Sequence, residues 1–242
     1  VSNGASVLFW YLIRDELNNL EKMLYSADSK YFSYKNIFYG KDILDFYGLF
    51  KDAYAHFKPN LSLLEKNLGC RPFLSVVTDA KSAQPQYINY DQKKIIDILV
   101  ATGTLPVLVR RPSFIYGERV FDGGISDPLP VKKAYEMGAK KIILIRTFPK
   151  KRTRTNKLEN LIAALFVLNF PKLSRAILNH SKTYNESLQF IENPPVDLEI
   201  YQIQPDTRLL TRRNTLSHQI LEADYNLGRI KGRQFLKTMM SL

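Results

Sequence analysis

Apolar positions recur along this chain with two periods, and the switches between them mark out helices and strands. Residues 4 to 24 carry Val7, Leu8, Tyr11, Leu12, Leu17 and Leu20 at helical spacing, which predicts a helix with a broad apolar face ending at "YSADSK". Shorter helical pieces follow from 41 to 67, interrupted by Gly48 and Pro59. "PFLSVVTD", 72 to 79, is a compact run rich in β-branched residues and predicts a buried strand, with "QYINY" as its partner. "DQKKIIDILVATG" predicts a helix capped by Asp91 and closed by Gly103.

Next come "RVFD" as a strand, "PLPVKKAYEMG" as a helix with proline in its first turn, and "KKIILIRT" as a second buried strand. Strand, helix, strand predicts a right-handed parallel crossover with Asp122 at the carboxyl end of its strand. In open α/β sheets that edge is where ligands collect. Beyond it the pattern predicts two helices hinged near Pro171, a strand at "LEIYQIQP", and a closing helix over 215 to 239 with Leu216, Ile220, Ala223, Leu227 and Ile230 on one stripe. No long polar linker interrupts the chain. The predicted architecture is one α/β domain with a helical C-terminal extension.

Composition narrows the partners. With 242 residues and 45% apolar content the chain can bury a sizeable core. A net charge of +12 and a pI near 9.6 favour an anionic partner: a phospholipid surface, nucleic acid or an acidic protein. The single cysteine, Cys70, makes neither an internal disulfide nor a cysteine metal site, so a reducing compartment fits best. "ASVLFWYLI" and "LIAALFVLNF" fall short of the roughly 20 apolar residues a bilayer-spanning helix needs, and the first has neither the basic start nor the cleavage site of a signal peptide.

The candidate chemistry centres on "RVFDGGISDPLPVKKAYEMG", where Asp122 precedes Gly123 and Gly124. One reading makes Asp122 a cap for the next helix, with the glycines forming the turn. Asp127 stands closer to that proline-led helix and is the better cap. The other reading makes Asp122 a general base, with the glycines permitting close approach of a backbone or substrate. A base needs a nucleophile, and "VSNGAS" supplies one: Ser2 and Gly4 fit the last four positions of a Gly-x-Ser-x-Gly elbow, in which small residues relieve a crowded strand-to-helix turn. The helix that follows points its positive end at Ser2. His56, His180 and His218 share no spacing or motif and read as ordinary polar residues.

"VSNGA", followed about 120 residues later by "FDGGISDPLPVKKAYEMGAKKIILI", resembles the patatin-like phospholipases, whose elbow reads Gly-x-Ser-x-Gly-Ala and whose base lies in Asp-Gly-Gly or Asp-Gly-Ala. "FLSVVTDAKSAQPQYIN" looks like that family's strand ending in Thr-Asp, and "ATGTLPVLVRRPSFIYGERVFDGG" looks like its Ala-Ser-x-x-x-Pro segment. The resemblance runs over residues 1 to 147, and "LEIYQIQPDTRLLTRRNTLSHQILEADYNLGR" is similar to the tail of bacterial members. It implies a three-layer α/β/α sandwich with a mainly parallel sheet. Residues 1 to 148 would form the catalytic domain, and 149 to 242 a helical extension with one further strand, packed on the same domain.

By that resemblance Ser2 is the nucleophile and Asp122 the base of a Ser-Asp dyad needing no metal or cofactor. Asn3, Gly4, Gly123 and Gly124 would support the oxyanion and the turns. The implied substrate is a phospholipid or related lipid ester, and the implied location cytoplasmic, at the membrane periphery. The family's first strand and glycine-rich oxyanion loop precede the elbow and are not among these 242 residues, so the chain is expected to be an N-terminally truncated part of a longer protein. Losing one oxyanion donor costs about 10²- to 10³-fold in rate, so the truncated chain alone should be a poor catalyst.

Two other readings compete. The same fold could serve as a lipid- or membrane-surface-binding module with incomplete chemistry. "PKKRTRTNK", 149 to 157, reads first as a solvated loop, next as a headgroup contact and last as a nucleic-acid contact, since no aromatic interleaving accompanies its charge; no nucleic-acid partner is expected. The apolar helix beginning near Leu158 either joins this run at a membrane surface or packs into the core.

Overall fold

The computed structural model describes residues 1–13, 21, 24–25, 28–149, 157–212 and 214–241. The second half of the predicted N-terminal helix and most of the basic run lie outside these described residues. The chain divides into two compact units, Val1–Leu129 with Thr155–Tyr184, and Pro130–Arg154 with Asn185–Leu242.

The first unit is organised by strand β1 (Leu74–Asp79), whose last five residues are all buried. It pairs antiparallel with β2 (Pro85–Asn89), Val76 opposite Tyr87, as "QYINY" predicted. On its other edge lies β4 (Glu118–Asp122), Val77 opposite Asp122, and β4 pairs in turn with β3 (Ser113–Ile115). The sheet order is β2-β1-β4-β3, antiparallel throughout. The expectation of a mainly parallel sheet with a crossover out of β4 is therefore not met among the described residues. Both edges of β4 are already occupied, one by β1 and the other by a hairpin that the sequence reading passed over. Tyr116 and Gly117, at φ 51° and 84°, form a two-residue loop whose positive φ values match the twist of the flanking strands.

Helices cover this sheet. Those preceding β3 are α1 (Asn3–Leu12), α2 (Phe46–Phe57), α3 (Leu61–Leu68) and α4 (Ile95–Ala101). Asp45 caps α2 and Asn60 caps α3 through their side chains, and Asp91 accepts from Lys93 N–H as predicted, opening a short turn that leads into α4. The buried face of α1 is Ala5, Phe9 and Ile13, packed with Leu64, Leu68, Phe73, Ile95 and Leu99. Of the predicted face, Leu12 packs against this cluster, Val7, Leu8 and Tyr11 are exposed, and Leu17 and Leu20 lie outside the described residues. An all-round apolar segment lets periodicity choose the wrong stripe.

Further on come α6 (Lys157–Leu165), α7 (Pro171–Leu178) and α8 (His180–Glu192), three helices where two were predicted. Pro171 sits in the first turn of α7, where its missing N–H costs nothing. In the second unit, α5 (Val131–Glu136) leads to β5 (Lys141–Ile145), which pairs parallel with β6 (Glu199–Ile203). The closing helix α9 (His218–Met240) buries Leu221, and Phe235 meets Tyr201 edge-on at 6.3 Å, whereas Leu216 and Ile230 of the predicted stripe are exposed.

Candidate active site

Ser2 stands immediately before the first residue of α1 with φ 50° and ψ −136°, a conformation that L-residues rarely hold without support. Ser2 thus makes a sharp turn into α1. Its support comes from α4. The Ser2 N–H donates to Thr102 Oγ1 at 3.0 Å, and the Thr102 hydroxyl donates onward to the carbonyl oxygen of Val76 at 2.5 Å. Thr102 is fully buried at the end of α4, so its bond to Val76 forms away from competing water, while its bond to Ser2 is part-buried.

Asp122 ends β4, buried, as its position in "RVFD" predicted. Its backbone is fixed on three sides. Its N–H donates to Thr104 O at 2.9 Å, its carbonyl accepts from Thr78 Oγ1 at 2.8 Å, and the following Gly123 N–H reaches Thr102 O at 3.4 Å. The Thr78 hydroxyl also meets Ser126 Oγ at 2.8 Å, where Ser126 must donate because the threonine proton is already used. On the side chain, Oδ1 accepts from Gly124 N–H at 2.7 Å. The carboxylate therefore caps the tight turn Gly123–Ile125, which orients it.

The two glycines differ in need. A Cβ on Gly123 would lie 2.1 Å from the Val76 carbonyl oxygen, so β1 passes where only hydrogen fits. On Gly124 it would meet Asp122 Oδ1 at 3.0 Å. The Val76 carbonyl is thus the common anchor: it takes the Thr102 hydroxyl and excludes any side chain at Gly123. Gly4 does not show the crowding expected of it, since a Cβ there would meet nothing within 4 Å among the described residues. Asn3, the first residue of α1, has an N–H with no acceptor inside the helix.

Asp127, expected to cap α5, instead accepts a hydrogen bond from Tyr87 Oη at 2.7 Å, and α5 begins without a side-chain cap. A cavity of about 200 Å³ lined by residues including Asp42, Tyr47, Asp97 and Arg111 opens elsewhere, and neither Ser2 nor Asp122 lines it.

Sequence reasoning missed Thr102. The segment "ATGTLP" was visible, but no spacing shows that a threonine ending one helix will hold the first turn of another a hundred residues away.

A family profile described as "Patatin-like phospholipase" matches residues 1–135, and one described as "Domain of unknown function (DUF6363)" matches residues 170–242. The chain is 33% identical over 159 residues to "Uncharacterized protein YjjU" of Escherichia coli (strain K12), a match covering 65% of this chain and 44% of that protein. The chain thus spans less than half the length of that curated relative.

Proposed function

The chain belongs to the patatin-like phospholipase family, and from that premise we propose that it is a serine acyl hydrolase cleaving the ester bonds of phospholipids or related lipids through Ser2 and Asp122. The observation that carries the reading is the strained turn of Ser2, held by Thr102, whose own carbonyl accepts from the residue next to Asp122. Such strain persists only where the surroundings over-determine it, and here Thr102, which accepts the Ser2 N–H, is itself tied to the Val76 carbonyl and to Gly123 N–H.

In the proposed reaction the Asp122 carboxylate accepts the Ser2 hydroxyl proton as Oγ attacks the ester carbonyl carbon. The electron pair of the carbonyl moves to its oxygen, which would face the positive end of α1 and accept from Asn3 N–H. Collapse of the tetrahedral intermediate breaks the bond to the alcohol, which leaves with the proton from Asp122. Water then attacks the acyl-serine, gives its proton to Asp122, and the fatty acid departs as Ser2 recovers its proton. Gly124 N–H orients the base through its bond to Oδ1, and Gly123 lies where β1 leaves no room for a side chain.

Residues 1–148 would supply this chemistry, with 149–242 as an extension to it. No described helix is long and apolar enough to cross a membrane. A cytoplasmic, membrane-peripheral position, in contact with an anionic surface, fits the +12 charge and the single cysteine. Steady-state hydrolysis of a fatty-acyl ester tests the proposal. Ser2→Ala should abolish turnover, and Asp122→Asn should lower it about 10²- to 10⁴-fold. Turnover unchanged in either variant would refute the dyad.

A further inference from the structure

Helix α6 is amphipathic the wrong way round for a helix of a soluble protein. Its outward face carries Leu158, Leu161, Ile162 and Leu165, at spacings of three and four that place them on one side, and Leu158 is 71% exposed. Phe166 and Leu168, just past its end, are exposed as well. The inward side is the less apolar one: Asn160 and Ala164, with Val167 just past the end, are buried, and the Asn160 amide nitrogen has no partner among the described residues. A contiguous apolar face of this kind marks an interaction surface.

Two features choose its occupant. The first is position. Ala164 and Val167 pack in one cluster with Phe121 and Ile125, the residues that bracket Asp122 to Gly124. The exposed face of α6 is therefore the outer side of a helix whose inner side rests against the turn carrying the proposed base. The second is charge. Lys172 and Arg175 are exposed on α7, the helix that packs against α6, and in sequence Lys150, Lys151, Arg152 and Arg154 lead directly into α6. Apolar residues flanked by cations suit the boundary between acyl chains and anionic headgroups.

We propose that the outward face of α6 is the surface by which the protein docks on an anionic lipid bilayer, with Leu158, Leu161, Ile162 and Leu165 entering the acyl boundary. The choice of a lipid rather than a protein surface rests on the lipid-hydrolase reading. Docking there brings the rim of the Asp122 turn to the membrane that holds the substrate.

Flotation of the full chain with equimolar phosphatidylcholine and phosphatidylserine vesicles should show binding that weakens with salt and with pure phosphatidylcholine. Leu161→Asp/Leu165→Asp changes only exposed positions and should weaken that binding by about tenfold or more, while hydrolysis of a soluble short-chain ester stays as in the wild type. A spin label at Leu161→Cys, in a Cys70→Ser background, should become more accessible to oxygen and less to a nickel complex when vesicles are added, and a label at Lys93→Cys should not. Vesicle binding unchanged in the double variant overturns the proposal. So does a label buried without vesicles as protein concentration and sedimentation mass rise together, which would assign the face to a protein contact. Ser2→Ala should bind vesicles normally; if the wild type binds them and hydrolyses nothing, the hydrolase reading fails and the docking surface stands.

Discussion

The Ser2 N–H and the Thr102 hydroxyl lie 3.0 Å apart, joining two residues separated by 100 positions in the chain. This bond holds the serine backbone at positive φ while the same hydroxyl is tied to β1 through Val76. Thr102→Val keeps the volume and removes both bonds. It should lower kcat for ester hydrolysis about 10²-fold with little change in KM, because a nucleophile displaced by about an ångström loses that much. Thr102→Ser should restore most of the rate, an outcome that a packing role alone would not give.

The glycines divide by what surrounds them. Gly123→Ala would drive a methyl into the Val76 carbonyl, and should destabilise the fold by about 3 kcal/mol or more, read as a lower melting temperature. Gly4→Ala places a methyl in open space on a helix and should raise stability by about 0.5–1 kcal/mol. A large loss at Gly4 would mean that the elbow is crowded in the working protein.

Much of this was legible in the sequence, for definite reasons. β1, its β2 partner and the placing of Asp122 at a strand end followed from β-branched runs bounded by turn residues. Which strands neighbour one another did not. The parallel crossover expected of β4 was displaced by a hairpin whose only signal is Tyr116-Gly117. The faces of α1 and α9 were misplaced because apolar residues surround the first and spread along the second, so burial is decided by tertiary packing. Ser2, Asp122 and their glycines were read from motif, whereas Thr102 became visible only in three dimensions.

Asp79, which closes β1, reports on the sheet that carries the site. Burial raises its carboxyl pKa, but hydrogen bonds from the Ser82 hydroxyl at 2.6 Å and Ser82 N–H at 2.7 Å, with Lys81 nearby, outweigh it and leave the group below its ordinary value. A depressed folded-state pKa contributes stability that is present above the unfolded value near 3.8 and is lost as pH falls through the folded one. Acid unfolding should therefore steepen below that value. In Ser82→Ala the acid-sensitive window should narrow, with a loss of about 1 kcal/mol at neutral pH. Equal acid sensitivity in the variant would show that other carboxylates control the transition.

Tyr90 gives the opposite sign. Burial, helped by the charge of Glu65, raises its phenol from 10.0 to about 12, and its hydroxyl is buried without a partner among the described residues. A raised pKa contributes stability that is complete below pH 10.0 and disappears as pH climbs toward about 12. Tyr90→Phe should remove this alkaline loss from the denaturation profile and change stability at neutral pH by less than about 1 kcal/mol.

The central claim is that Ser2 is a nucleophile activated by Asp122. Its most direct measurement is reaction with a lipophilic fluorophosphonate, followed by mass spectrometry of the modified peptide. The account predicts one adduct, on Ser2, formed more slowly in Asp122→Asn and absent in Ser2→Ala. An adduct on another serine, or equal labelling of the Ser2→Ala chain, would contradict it.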